Sequence, residues 1–265
     1  MRKISISQAW DESRDVLNRD GKLIATVALA MLVLPGVVLG VFLPKLSAGG
    51  PTVIAYVALL AAFLVTFVGQ LSIVRLAMGP HLTVGEAIRH GAIRALPFLG
   101  AFLLWVVPFL LLGSIPYKLI ATHPGQQATG PALLLLAITA VGLFLVIRLL
   151  LMGPVAAAEH SNSFAIMCRS WELTAGNWWR LFGFVAMFVL GALALVWSVS
   201  AVIGLISRLW LGPIQSDSIS GLVIMLIIQA VSAALYCVLF VMQARIYVQL
   251  TQHGEAQPGV PSSGT

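Results

Sequence analysis

Charged residues are scarce in this chain, because only 9% of its 265 residues are Asp, Glu, Lys or Arg. A soluble domain carries about a quarter of charged residues, so this composition excludes an ordinary soluble enzyme, a coiled coil and a disordered protein. Cysteine is also rare. Cys168 and Cys237 lie far apart and form neither a disulfide framework nor a metal site, and we interpret both as small buried thiols.

Motifs of enzymatic chemistry are missing as well. The histidines show no metal-binding spacing, and no serine lies in a nucleophile motif. Glu159-His160 and His81 follow equivalent Met-Gly-Pro turns and could approach each other if repeated segments pack about an axis, although chance surface placement is the simpler interpretation. We therefore predict a protein with no enzymatic activity and no cofactor.

Apolar residues, by contrast, make up 60% of the chain. A helix needs about 20 mostly apolar residues to cross a bilayer. Six stretches qualify, although splitting or merging them would give five or seven, and they are roughly Leu23–Leu43, Val53–Val74, Ala95–Ser114, Pro131–Ile147, Leu181–Ile206 and Gly221–Ala244. The sequence predicts an all-α, polytopic membrane bundle of six transmembrane helices, with one membrane domain over residues 1–251 and a disordered tail over 252–265.

Basic residues are distributed unevenly between the two sides of this bundle. Twelve lie on the side of both termini, and three lie on the other side, namely Lys45, Lys118 and Arg208. Because cytoplasmic loops carry the excess of Lys and Arg, we predict that both termini lie in the cytoplasm. Topology then explains the net charge of +6, and we expect no nucleic-acid partner.

An internal repeat relates the first two pairs of spans. Five pairs of residues match at a constant offset of 73: Pro35 with Pro108, Gly40 with Gly113, Lys45 with Lys118, Gly69 with Gly142, and Arg75 with Arg148. A third copy is weaker. The repeats would cover about 5–80, 83–154 and 162–251, each with an interfacial helix, a span, a short outer loop and a returning span.

The amphipathic segments before the odd-numbered spans share a pattern. Each begins at a good N-cap residue and has a small residue eight positions later: Ser5 and Ser13, Thr83 and Gly91, Asn162 and Ser170. Ser5 with Gln8 and Thr83 with Glu86 form capping boxes. We expect these helices either to lie in the headgroup plane with their apolar face down or to pack against the bundle.

The third segment enters the fifth span through the sequence CRSWELTAGNWWRLFGF, residues 168–184. This run resembles the signature of the bacterial family named for the membrane domain of glycerophosphoryl diester phosphodiesterases, and the matching residues are Ser170, Trp171, Leu173, Thr174, Gly176, Asn177, Trp179 and Arg180. The resemblance implies a six-span helical protein of the plasma membrane, which in bacteria is the cytoplasmic (inner) membrane. The family's phosphodiesterase chemistry resides in a separate soluble barrel, for which this chain has no room, so the resemblance implies no hydrolase activity.

The same run has a direct physical interpretation. Gly176 is suited to end the interfacial helix in a left-handed turn, and Asn177 to cap the next helix. Trp171, Trp178 and Trp179 lie where an aromatic belt is expected, and Arg180 is placed to extend toward lipid phosphates. The run is therefore either a hinge at the membrane entry, which we favour, or a specific ligand site.

Arginines recur at the predicted cytoplasmic ends of the spans. Each contributes about 1 kcal/mol of attraction beside an anionic leaflet. We predict contacts with anionic lipid headgroups at Arg75, Arg89, Arg94, Arg148, Arg169 and Arg180. Topology alone is the competing explanation of the same residues.

Three functions fit these features. We favour a non-enzymatic protein that organises membrane lipids or a membrane or cytoplasmic partner protein. The second is a transporter or flippase for a small or lipid-like solute, which requires a polar cavity where Gln70, Gln229 and the serines of the spans converge. The third is a membrane module accessory to a separate phosphodiesterase-type enzyme. The lack of an ionisable residue within the apolar spans counts against ion-coupled transport.

Overall fold

The computed structural model of the chain describes residues 4–47, 53–79, 82–122, 129–210 and 219–255, and within these ranges all regular structure is helical. The helices are α1 (Ile6–Ala28), which continues through a π turn (Leu29–Val33) into α2 (Leu34–Ser47), then α3 (Val53–Met78), α4 (Val84–Thr122), α5 (Thr129–Arg148), α6 (Met152–Ala158), α7 (Ser163–Thr174), α8 (Trp178–Trp210) and α9 (Ile219–Glu255).

Six helical runs are long and apolar enough to cross a membrane. They are Ile6–Phe42, Val53–Met78, Val84–Thr122, Thr129–Ala158, Trp178–Leu205 and Val223–Gln252. The predicted all-α bundle with six spans is confirmed. α9 extends to Glu255, so residues 252–255 of the predicted tail are helical, and the rest of that tail lies outside the described residues.

The first two amphipathic segments are continuous with the spans that follow them. α1 leads directly into the first span, and α4 contains both the second segment and the third span. The prediction of a separate interfacial helix is therefore wrong for these two units. A continuous helix satisfies every backbone N–H and C=O group where the chain enters the membrane, which favours this arrangement.

The third segment does form a separate helix, α7. Ala175 follows α7 with extended backbone angles, and Gly176 adopts a φ of 83°. This left-handed conformation is accessible to glycine at little cost, so Gly176 separates α7 from α8 as predicted.

The π turn in the first span is explained by Pro35. Proline has no N–H to donate to the carbonyl of Met31 four residues earlier, and its ring crowds that carbonyl, so the helix widens over Leu29–Val33. Gly69 of α3 packs against this turn, because a Cβ at Gly69 would lie 2.7 Å from Cβ of Met31. The missing side chain at Gly69 thus permits close contact between the first two spans.

Most buried side chains lie at one end of the bundle. This is the end where the described residues begin, at Ile4, and finish, at Glu255. Leu71 and Ile73 of α3, Val155 of α6 and Val241 of α9 are all fully buried there. Toward the other end the spans expose apolar side chains, and α8 does so most strongly, with Trp197 75% exposed. Such a surface is stable only against lipid, which agrees with a membrane-spanning bundle.

The small residues of the three segments occupy contacts of one kind. Ser13 Oγ lies 3.1 Å from Sδ of Met242 in α9, and a Cβ at Gly91 would lie 2.6 Å from Oγ of Ser72 in α3. Ser170 Oγ donates to the carbonyl of Arg148 at the end of α5, at 3.0 Å. Each segment thus contacts the returning span of another unit. The first segment contacts the third unit, the second segment contacts the first unit, and the third segment contacts the second unit.

The third amphipathic segment packs against the bundle on one face and exposes other side chains. In α7, Ile166 and Ser170 are buried against the bundle, whereas Phe164, Cys168 and Trp171 are exposed. The prediction of a buried thiol is therefore wrong for Cys168 and correct for Cys237.

Candidate functional site

The end of α5 is held by the hydroxyl groups of the motif in α7. Ser170 Oγ and Thr174 Oγ1 both donate to the carbonyl of Arg148, at 3.0 and 3.1 Å. The last carbonyls of a helix have no partner within the helix, so these hydroxyl groups satisfy a group that is otherwise orphaned. The motif thereby fixes α7 across the end of the fourth span.

The same contact places the side chain of Arg148 among aromatic rings. The guanidinium carbon of Arg148 lies 4.9 Å from the ring centroid of Trp171 and 5.4 Å from that of Phe144. Both distances are within the range of cation–π attraction, which is strongest where water is excluded. Nε and Nη1 of Arg148 are buried and have no hydrogen-bond partner among the described residues.

A third unpaired donor belongs to the same cluster. The Trp178 ring lies 5.7 Å from the Phe144 ring, and its Nε1 is also buried without a partner in the described part of the chain. We call Phe144, Arg148, Trp171 and Trp178 the arginine–aromatic cluster. Buried N–H groups are nearly always paired in folded proteins, so these three donors call for an external acceptor.

The second half of the motif holds the N-terminal segment. Asn177 Oδ1 accepts from the backbone N–H of Ile4 at 3.4 Å, and Arg180 Nη1 donates to the carbonyl of Ile4 at 2.8 Å. Leu173 is buried, and Trp179 is 77% exposed. The sequence offered no signal for the pairing with Ile4, because the partners are more than 170 residues apart in the chain.

Asn177 also marks the start of α8. Its carbonyl accepts from the backbone N–H groups of Arg180 and Leu181, both at 3.1 Å. This is the backbone pattern of an N-cap residue.

Arg169 is engaged within the protein. Its guanidinium pairs with Glu159 at 3.2 Å and with Glu172 at 3.3 Å, and Tyr247 of α9 donates to Glu159 at 2.9 Å. Burial lowers the pKa of Arg169, but the hydrogen bonds and charges of the two glutamates outweigh burial and raise it. Arg169 therefore remains charged and links α7 to the segment after α6.

The other predicted headgroup contacts are dispersed. Arg94 is buried, and its Nη2 has no partner among the described residues. Arg75 is half-buried at the end of α3, and Arg89 is exposed on α4. Among the six arginines predicted as headgroup contacts, Arg148 combines two features. Its carbonyl accepts hydrogen bonds from the motif, and two of its own N–H groups have no partner among the described residues.

The predicted approach between Glu159-His160 and His81 cannot be located, since His81 lies outside the described residues. A different histidine makes a contact at this end of the bundle. His90 Nε2 lies 2.8 Å from the carbonyl of Ala157, and because a carbonyl only accepts, Nε2 carries the proton. In the described part of the chain, no group of three His, Cys, Asp or Glu side chains could hold a metal ion.

These features define a multi-pass integral membrane protein in which a turn at Gly176 connects α7 to the fifth span. The family model described as the membrane domain of glycerophosphoryl diester phosphodiesterase matches residues 124–261, just over half of the chain. The chain belongs to this family, and the predicted resemblance is confirmed. Comparisons with curated proteins and with solved structures find no match. The matched unit is a membrane domain and not a catalytic one.

Proposed function

We propose that the protein organises lipids of the cytoplasmic leaflet by binding the phosphate of an anionic phospholipid at the arginine–aromatic cluster. The observation that supports this function is the presence of three buried N–H donors without a partner in the described chain, two on Arg148 and one on Trp178. A phosphate offers several acceptor oxygens, and arginine binds phosphate in a planar, two-pronged geometry.

The surroundings of the cluster favour a lipid as the source of the phosphate. Arg148 is the last residue of α5, so its side chain lies where an apolar span ends and the headgroup region begins. The rings of Trp171 and Phe144 remove water from the guanidinium, which strengthens its attraction for an anion. Tryptophan is also the residue enriched at this depth of the bilayer.

The orientation is part of the same proposal. We place the cluster, α7 and both termini in the bacterial cytoplasm, because twelve of fifteen basic residues belong to that side. This side carries the anionic surface of the membrane, so the binding site and its ligand would meet there.

Lipid retention by the purified full-length protein tests this function. The protein is reconstituted in nanodiscs of phosphatidylcholine with a minor fraction of phosphatidylglycerol, and lipids bound after detergent extraction are counted by native mass spectrometry. We expect phosphatidylglycerol to be retained above its bulk fraction. Trp178→Phe should lower that retention by about tenfold, the effect of one hydrogen bond to a charged group. Arg148→Gln should lower it further, because this change removes the guanidinium charge and its two unpaired N–H groups.

Two matched variants separate the site from general effects. Arg89→Gln removes the same charge at an exposed position, and Trp179→Phe removes the same N–H group from an exposed neighbour. Both should retain phosphatidylglycerol as the unmodified protein does. Equal losses in all four variants, or no enrichment at all, would contradict the function. Binding of inorganic phosphate at the cluster without retention of phosphatidylglycerol would show that the cluster recognises a free phosphate and not a lipid.

A further inference from the structure

Glutamines from two helices line a pair of partly open cavities between the helices of the bundle. The larger cavity, of about 650 Å³, has Gln70 of α3 and Gln229 of α9 in its wall. The smaller, of about 190 Å³, has Gln70 and Gln243 of α9. Gln70 is common to both, so the two cavities adjoin at this side chain.

The glutamines are distributed along the direction in which the spans cross the membrane. Gln229 and Gln243 are 14 residues apart on α9, which corresponds to about 21 Å at 1.5 Å per residue. The apolar core of a bilayer is about 30 Å thick. The polar positions therefore extend over roughly two-thirds of that thickness.

Gln243 is the side chain that most clearly indicates a ligand. It is 6% exposed, and its Oε1 is buried with no hydrogen-bond partner in the described part of the chain. Burial of an acceptor without a partner is unfavourable, and a ligand with a hydrogen-bond donor would offset that cost. Gln229 differs, because its Nε2 donates to the carbonyl of Gly36 at 2.8 Å and is fixed against the first span.

The composition of the walls defines the chemical class of the ligand. None of the residues that line the two cavities is charged at neutral pH, so an ion would lose its hydration without compensation. Aromatic rings face the smaller cavity, among them Phe67, Phe102 and Trp105 in edge-to-face contact. Rings pack against C–H groups while amides bind O–H groups, a combination that suits a small uncharged polyol.

We propose that these cavities form a route by which a small uncharged polyol crosses the membrane, with Gln70 and Gln243 as its binding groups. The smaller cavity holds about six water-sized groups at about 30 Å³ each, which sets the size of the solute. Gln70 and Gln229 line one cavity, as the transporter interpretation of the sequence requires. The serines do not take part, since Ser232 lines a different cavity and Ser198 bonds to its own helix.

Stopped-flow light scattering on proteoliposomes of phosphatidylcholine tests the route with glycerol as the probe. We expect the full-length protein to raise glycerol permeability above that of protein-free vesicles. Gln243→Leu and Gln70→Leu should each reduce the added permeability by about tenfold, the loss of one buried hydrogen bond. Gln252→Leu is the matched control, because Gln252 lies on the same helix, is exposed and lines neither cavity.

A second variant keeps the test decisive if either leucine variant fails to fold. A Cβ at Gly153 would lie 3.1 Å from Nε2 of Gln70, so Gly153→Ala should displace that amide and lower glycerol permeability. The absence of any added glycerol permeability, equal permeability in all variants, or a rise confined to water would overturn the proposal. Arg148→Gln should leave the permeability unchanged, which separates this route from the headgroup site.

Discussion

The guanidinium of Arg148 lies over the ring of Trp171, with 4.9 Å between the guanidinium carbon and the ring centroid. The two residues belong to different predicted units of the chain, one at the end of the fourth span and the other in α7. The contact depends on Ser170, whose hydroxyl holds the Arg148 carbonyl and fixes the register of α7. The motif thus positions a partly desolvated cation at the end of α5 in addition to turning the chain.

The attraction between Arg148 and Trp171 should be measurable in a double-mutant cycle. We expect Trp171→Leu and Arg148→Gln to lower the free energy of unfolding in detergent together by less than the sum of their separate effects. The difference should be about 1–2 kcal/mol, the strength of a partly desolvated cation–π contact. Fully additive effects would show that the ring and the cation do not interact. Arg89→Gln with Trp171→Leu is the control cycle and should be additive.

The hydroxyl groups of Ser170 and Thr174 both donate to the Arg148 carbonyl, so each still satisfies it when the other is removed. Ser170→Ala leaves Thr174 as a donor to that carbonyl, so we expect a loss of about 0.5–1.5 kcal/mol in the free energy of unfolding. Ser170→Ala with Thr174→Val removes both donors and should cost more than the two single changes added together. Ser198→Ala serves as the control at an exposed serine, and an equal loss there would contradict this account.

A side chain at position 176 should destabilise the protein because of the backbone conformation of Gly176 and not because of a lack of space. No atom lies within 4 Å of a Cβ at this position, but the φ of 83° is unfavourable for alanine. We expect Gly176→Ala to lower the free energy of unfolding by about 1–2 kcal/mol. Gly183→Ala has equally open space but lies inside α8, and it should stabilise the protein by about 0.5–1 kcal/mol. Thermal unfolding in detergent distinguishes these opposite signs.

Local and compositional signals predicted the number of spans, the left-handed turn at Gly176, the N-cap at Ser5 and the capping box at Thr83. The Gln8 half of the first predicted capping box is wrong, because the Gln8 side chain donates to Glu12 at 2.9 Å. The Thr83 hydroxyl accepts from the N–H of Glu86 at 3.3 Å, and the Glu86 carboxylate accepts from the N–H of Thr83 at 2.9 Å. Such patterns are readable because their partners are three residues apart. Asn162 also takes its predicted N-cap position, although its side chain makes no capping bond among the described residues.

The long-range contacts of the site could not be predicted from local sequence patterns. Ile4 pairs with Asn177 and Arg180, and Tyr247 pairs with Glu159, across separations of 88 residues or more. Backbone groups carry no residue-specific pattern, so the partner Ile4 could not be identified from the sequence. The six arginines also looked equivalent as headgroup contacts, because the sequence indicates only where each lies along its span. The neighbours of each guanidinium depend on the packing of the helices, which the sequence does not show.

Cys168 offers a test of orientation that needs no engineered residue. It is exposed on α7, whereas Cys237 is buried in the sixth span, so a membrane-impermeant maleimide should react at Cys168 alone. If α7 faces the cytoplasm, we expect labelling in inverted membrane vesicles and protection in intact spheroplasts. Cys168→Ser should abolish the labelling, and Cys237→Ser should leave it unchanged. Labelling in spheroplasts but not in inverted vesicles would place α7, both termini and the arginine–aromatic cluster on the opposite side, away from the leaflet whose anionic lipids we propose as the ligand.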